Sequence, residues 1–244
     1  MTVQVVILAA GLGTRLARPH PKPLTQLDDG RTILQQQVEN LTSVFGKRLR
    51  LTVVVGYKLD LVMEHVPDAS FVYNESFDQT NTSKSLLKAL KNSTKGGVLW
   101  LNGDVVFAPD LLELLKPFIA SGQSAVMVNT ASVSHEEVKY TTGTDGYIRR
   151  LSKTIPICDA EGEAVGINYI SQKDKKNLIR RLRSVADQDF FERAMEKTIK
   201  KDMVSYRPVD TSRYLAIEID SPEDLLRANH AISQETPWQN TLPV

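Results

Sequence analysis

The run Leu8-Ala9-Ala10-Gly11-Leu12-Gly13-Thr14-Arg15-Leu16 ends an apolar stretch in two glycines and then sets a hydroxyl and a guanidinium beside them. Glycine permits positive φ and close approach of an anion, so backbone N–H groups at such a turn suit phosphate. Lys22 follows, held between Pro21 and Pro23. The prolines fix φ on either side of it and present its ammonium with little backbone freedom left to lose. Much further along, Asp104 comes straight after Asn102-Gly103, and Asp220 after Glu218-Ile219, each closing an apolar run. Two carboxylates are hard oxygen ligands. Beside a polyphosphate they suit Mg²⁺, which keeps several waters and takes other ligands from phosphate. Each feature alone has a plainer reading: a strand-exit turn, a surface lysine, a turn aspartate, a residue ahead of a helix cap. Together they describe a site for a phosphate-bearing ligand and a divalent ion, with Glu218, read as lying on the other face of the closing strand, a weaker ligand.

Other phosphate loops fit less well. A dinucleotide-binding loop wants a third glycine where Leu16 stands and a helix directly behind it, whereas Arg18-Pro19-His20-Pro21-Lys22-Pro23 intervenes. No Walker lysine–hydroxyl pair occurs at the required spacing. The four histidines (20, 65, 135 and 230) and Cys158 form no nucleophilic constellation, and a lone cysteine excludes a disulfide framework and a multi-cysteine zinc site. Thirty basic against twenty-nine acidic residues give a net charge of +1, so no bulk field calls for nucleic acid or an anionic membrane. The basic run 173–183 is compensated by Asp187, Asp189, Glu192 and Glu196 and reads as a solvated face. No apolar run approaches the roughly 20 residues of a membrane span. The apolar start lacks a basic flank and a cleavage pattern, and the expected location is the cytoplasm.

The elements that must position these residues alternate. Val3–Ala10 is a near-continuous apolar run, as in a strand buried on both faces. Thr32 and Gln35 form a capping box that starts a helix to Phe45. Strands are expected at Leu49–Val55, Ser70–Tyr73, Val98–Leu101 and Ala125–Asn129, with helices at Ser83–Lys91 and Pro109–Ile119 between them. This alternation predicts an α/β fold, a mainly parallel sheet flanked by helices. The pattern then changes to an inserted hairpin, Lys139–Thr142 and Tyr147–Ser152 across Asp145-Gly146, and a strand at Glu163–Ile170. Polar amphipathic helices near Lys173–Arg183 and Gln188–Lys200 follow, then a strand at Tyr214–Ile219 and a helix from Ser221-Pro222 to about Ile232. Residues 1–232 are read as one domain, with 1–130 holding the nucleotide-type loop, 131–232 the inserted region, and 233–244 as a tail. If the strands before Asp104 and Asp220 share the parallel sheet, both carboxylates lie on its C-terminal edge facing the glycine loop.

The LAAGLGTRL and PKPL segments resemble the signature of the nucleotidyltransferases that make nucleoside-diphosphate sugars, alcohols and phosphonates. Asn81 with Ser85-Leu86, the Gly162-Glu163-Ala164-Val165-Gly166-Ile167 run and the Glu218-to-Leu225 segment resemble the phosphocholine- and phosphonate-type cytidylyltransferase branch. The resemblance implies a Rossmann-like fold and transfer of CMP from CTP to a small phosphonate or phosphorylated alcohol, with release of pyrophosphate and a need for Mg²⁺. It implies nucleotide contacts from Leu8, Ala10, Gly11, Gly13, Thr14, Arg15, Asn81, Ser85 and Asp104, and metal ligation by Asp104 and Asp220. Lys22 would neutralise the α-phosphate while Arg15 and the loop amides hold the leaving phosphates. Asn81 is equally a helix cap. Ala216 stands where the branch commonly carries an aromatic, which counts against choline. Lys139 and Lys153, flanking the hairpin, are expected to grip an acidic acceptor, with Glu163 as a polar contact. A sugar-1-phosphate uridylyl- or guanylyltransferase and a non-catalytic nucleotide-binding module are the rival readings, and the oligomeric state is not legible.

Overall fold

Seven residues at Val3–Ala9 form β1, buried at all but one position because neighbours cover it on both edges and helices cover both faces. A computed structural model describes residues 2–12 and 20–235, so the expectations for Gly13, Thr14 and Arg15, and for the tail beyond 235, lie outside the described residues. After β1, a single 3₁₀ turn at Lys22–Leu24 leads to α1 (Ile33–Phe45). Next come β2 (Leu49–Val55), α2 (Leu59–His65), β3 (Ser70–Tyr73), α3 (Thr82–Asn92), β4 (Val98–Asn102) and β5 (Val105–Phe107). The second half contributes α4 (Asp110–Glu113), α5 (Lys116–Ser121), β6 (Ala125–Asn129), the hairpin β7 (Lys139–Thr142) and β8 (Ile148–Ser152), and β9 (Gly162–Ile170). It closes with α6 (Gln172–Ser184), α7 (Phe191–Asp202), β10 (Arg207–Asp210), β11 (Ala216–Glu218) and α8 (Pro222–Glu235).

The main sheet runs β10-β6-β9-β4-β1-β2-β3. Strands β4, β1, β2 and β3 are parallel, as are β6 and β10, while β9 lies antiparallel between β4 and β6 and carries the hairpin at its edge. One apolar layer packs α1 and α4 against the sheet through Leu34, Leu41, Leu111 and Leu101. The opposite layer packs α3, α6 and α7 through Leu86, Leu178, Met195 and Trp100, whose ring meets Phe191 edge-on at 5.7 Å.

Two expectations are corrected. The helix at Pro109–Ile119 is divided into α4 and α5, because Pro117 has no N–H to donate back to Glu113. The closing strand is not in the parallel sheet: β11 pairs antiparallel with β5 in a separate two-stranded sheet. Helix α2 and strands β5 and β10, the last carrying Pro208 at the sheet edge, were not anticipated.

Candidate active site

The ends of β1 and β4 lie side by side, with Leu8 opposite Asn102, and the Gly103 N–H donates to the Leu8 carbonyl at 3.0 Å. A Cβ on Gly103 would stand 2.7 Å from that carbonyl oxygen and 3.0 Å from Pro23 Cγ. Only glycine therefore lets the Lys22 turn pack directly on the residue before Asp104. From α1, the buried Gln37 amide donates to the carbonyls of Asn102, at 2.9 Å, and Val105, at 2.7 Å, fastening both sides of the turn that holds Asp104. On the other flank β11 runs antiparallel to β5 with Glu218 opposite Val105, which carries Asp220 to the same place. Asp224 then caps α8, its Oδ2 accepting from the N–H groups of Asp220 and Ser221. The two aspartates do converge, but through this antiparallel pair rather than along one parallel edge.

Lys22 is the hub. Its Nζ donates to Asp104 Oδ2 at 2.6 Å and to Asp220 Oδ1 at 2.5 Å. Burial pulls the ammonium toward its neutral form, but the charges and hydrogen bonds of Asp104 and Asp220 outweigh it and leave the pKa raised. Carboxylate oxygens of Asp104, Glu218 and Asp220 all lie within 4.8 Å of one another. Glu218 thus shares the side of Asp220, as residues two apart on a strand must, and its expected place on the other face is corrected. Burial, then the negative charges of Asp104, Glu137 and Asp220, push the Glu218 carboxyl well above the usual carboxylate range. Asp104 Oδ1 is buried without a hydrogen-bond partner among the described residues. Three crowded carboxylates with an orphaned oxygen are a donor set that fits a hard divalent ion such as Mg²⁺.

A cavity of about 300 Å³ opens from this cluster, lined at the near end by Leu8, Ala9, Gly11, Lys22 and Asp104 and beyond them by Asn81, Glu137, Lys153, Gly166, Phe190 and Glu192. Asn81 is both cap and wall: its Oδ1 accepts from the Thr82 N–H at 2.8 Å while the residue lines the cavity. Gly166, at φ +74°, turns its backbone under Asn102, whose amide nitrogen would meet a Cβ there at 2.8 Å. Lys153 places its Nζ 5.0 Å from the Phe190 ring centroid. A smaller recess of about 190 Å³ adjoins, sharing Glu137, Glu218 and Asp220 and adding Glu163, Asp224 and Arg227.

Several expected residues are employed elsewhere. Lys139 is 1% exposed and its Nζ donates to the carbonyls of Ser134, His135 and Glu137, so it braces the loop before the hairpin and does not line the cavity. Ser85 is buried and its hydroxyl accepts from the Asn74 amide at 3.1 Å. Ala10 is buried beside the cavity wall, its carbonyl accepting from Tyr57 N–H. Glu163 accepts from the Ser134 N–H at 2.9 Å and faces the smaller recess. Glu137, Phe190 and Glu192 were missed. Glu192 at the start of α7 is 9% exposed, and burial raises its pKa to about 7 against the pull of Lys153. Of the two lysines expected to meet an acceptor, Lys153 lines this part of the cavity beside Glu137 and Glu192, and Lys139 does not.

Residues 5–164 match the family described as the MobA-like NTP transferase domain. The chain is 26% identical over 246 residues to the bifunctional protein GlmU of Buchnera aphidicola subsp. Schizaphis graminum, covering 94% of this chain and 49% of that protein. It is 27% identical over 277 residues to the CMP-5'-(3-aminopropyl)phosphonate synthase of Streptomyces rubellomurinus, covering 98% of this chain and 40% of that one. The chain thus spans about half or less of the length of these curated relatives. In fold it is similar to the inositol-1-phosphate CTP transferase from T. maritima, with a TM-score of 0.78 at 19% identity over 96% of each chain.

Proposed function

The chain belongs to the MobA-like NTP transferase family, and on that premise we propose that it transfers CMP from CTP to a small phosphonate or phosphate-ester acceptor, releasing pyrophosphate. The observation that carries this reading is the convergence of Lys22, Asp104 and Asp220 beside Gly11 on one cavity wall. An acceptor phosphonate or phosphate oxygen is already anionic near neutral pH, so the protein needs no nucleophile and no general base. That oxygen attacks the α-phosphorus in line. The bond from the α-phosphorus to its bridging oxygen breaks, and pyrophosphate leaves with the electron pair.

What the chain must supply is alignment and positive charge. The backbone at Gly11, where an added Cβ would meet none of the described residues within 4 Å, leaves room for phosphate to approach the chain. Lys22 offsets charge at the α-phosphate, and Arg15 with the amides of Gly13 and Thr14 is assigned to the leaving phosphates. The Asn81 amide nitrogen, its oxygen already spent on the cap, is left to donate to the base. Asp104, Asp220 and Glu218 would hold Mg²⁺, which when bound supplies charge neutralisation between nucleotide and acceptor.

At the far end, Glu137 and Glu192 beside the half-exposed Phe190 favour an acceptor whose other terminus is cationic. The name of the Streptomyces relative includes an aminopropyl group, which agrees with this. Pyrophosphate release, measured for each NTP against phosphonates, phosphocholine, phosphoethanolamine, alditol phosphates and sugar phosphates, is the test. Release is expected with CTP and an amine-bearing small acceptor. Release only with a hexose phosphate would establish the sugar-nucleotide alternative, and none with any pair would establish a binding module.

A further inference from the structure

The seat between Asp104 and Asp220 is filled by a side chain of the protein itself. Lys22 Nζ stands 2.6 Å from one carboxylate and 2.5 Å from the other, and 13% of the lysine side chain is exposed. A Mg²⁺ ion on the same two oxygens would lie about 2.1 Å from each. Those two positions overlap, and two cations repel strongly at such separations. We propose that Lys22 is a built-in counter-cation of the carboxylate pair and that a divalent ion enters only as Lys22 leaves it.

Removing Lys22 without replacement would take away the ammonium that now sits against Asp104 and Asp220, whose oxygens lie within 4.8 Å of one another and of Glu218. The lysine thus keeps the site compact. Its exit is a side-chain movement alone, because Pro21 and the buried Pro23 hold the backbone in its 3₁₀ turn. The destination lies on the same wall, where Gly11 would present a nucleotide phosphate as the replacement anion. This last step rests on the nucleotidyl-transfer reading. It makes nucleotide and ion bind with positive coupling, each favouring the other by the same factor.

The test needs neither nucleotide nor acceptor. Mn²⁺ is titrated into the full-length protein and followed by calorimetry and by the paramagnetic resonance signal of the free ion. Lys22→Met is expected to bind Mn²⁺ about ten- to a hundredfold more tightly than the wild type, the worth of one charge-assisted contact no longer displaced. Lys22→Gln reports the same quantity should the methionine variant fail to fold, and Lys22→Arg, which keeps the charge, is expected to stay near the wild type. Adding Asp104→Asn to Lys22→Met is expected to reverse the gain. Equal Mn²⁺ affinity in the wild type and a folded neutral variant overturns the exchange. That outcome leaves pyrophosphate release untouched, and failure of pyrophosphate release leaves the Mn²⁺ comparison intact.

Discussion

Ile219 donates its backbone N–H to the carbonyl of Asp104 at 2.9 Å. This bond extends the β5–β11 ladder one step past the Glu218–Val105 pair and delivers Asp220 beside Asp104 although the two lie far apart in the chain. The Lys22 ammonium is thereby held from both sides, by Asp104 and by Asp220. Asp104→Asn and Asp220→Asn are each expected to lower turnover by about 10²–10³, the usual loss when one charge-stabilising group is removed. The loss in stability should be small by comparison, about 1 kcal/mol, since Lys22 retains its other partner and the carboxylates are partly solvent-screened. Pyrophosphate release and thermal melts check both halves. Near-wild-type turnover in both variants would remove the two aspartates from the reaction.

The contact between Pro23 and Gly103 sets where Lys22 stands. Gly103→Ala puts a methyl group 2.7 Å from the Leu8 carbonyl oxygen and 3.0 Å from Pro23, and neither backbone nor ring can yield without shifting the turn. The expected cost is about 1–3 kcal/mol in stability, as for other overpacked sites. Turnover should fall by a larger factor than the nucleotide KM rises, because the Pro23 ring that must give way is next to Lys22 in its turn. Steady-state kinetics alongside melting curves distinguish this from simple unfolding.

Much of this arrangement could be read from the amino-acid order. The β1 run ending in glycine, the reciprocal Thr32–Gln35 cap and the proline-braced Lys22 are local signals, and each formed as read. Strands β5 and β10 carried too few residues to show a period, and although the closing strand was expected, its partner β5 is distant in sequence, so the antiparallel pair that joins the aspartates was not legible. Glu137, Phe190 and Glu192 reach the cavity only because the loop before the hairpin and the start of α7 fold over it. Lys139 misled for a different reason. A lysine that will be buried on three carbonyls looks, in sequence, like one that will greet an anion.

Lys139 therefore predicts stability more than chemistry. Lys139→Met keeps the stem but leaves the carbonyls of Ser134, His135 and Glu137 without their shared donor. Leaving buried acceptors unpaired should cost about 1–3 kcal/mol. The same loop carries Glu137 to the cavity, so the KM for the acceptor should rise while turnover at saturating acceptor stays within a few-fold of the wild type. A denaturant melt and an acceptor titration measure the two effects separately. A large loss of turnover with unchanged stability would instead return Lys139 to the acceptor site.

Glu192 gives the protein a pH signature. Burial raises its carboxyl to about 7 from an ordinary value of 4.5, so between those values the folded chain holds a proton that the unfolded chain has released. The sign follows from that excess: Glu192 contributes its stability fully below about pH 4.5 and loses it as pH rises through about 7. The whole difference is at most about 3 kcal/mol, from the size of the shift. Glu192→Gln removes the titration, so the variant should gain on the wild type in melting temperature from pH 5 to pH 8 and surpass it at the upper end. An amine-bearing acceptor would draw the wild-type carboxylate into its charged form and so bind more tightly as pH rises across the same interval. In Glu192→Gln that rise should flatten and the KM for the amine-bearing acceptor should increase, while the KM for an uncharged alditol phosphate should hardly move. Parallel pH profiles of the two acceptors in both proteins decide it, and an equal KM change for both acceptors would make Glu192 a structural residue only.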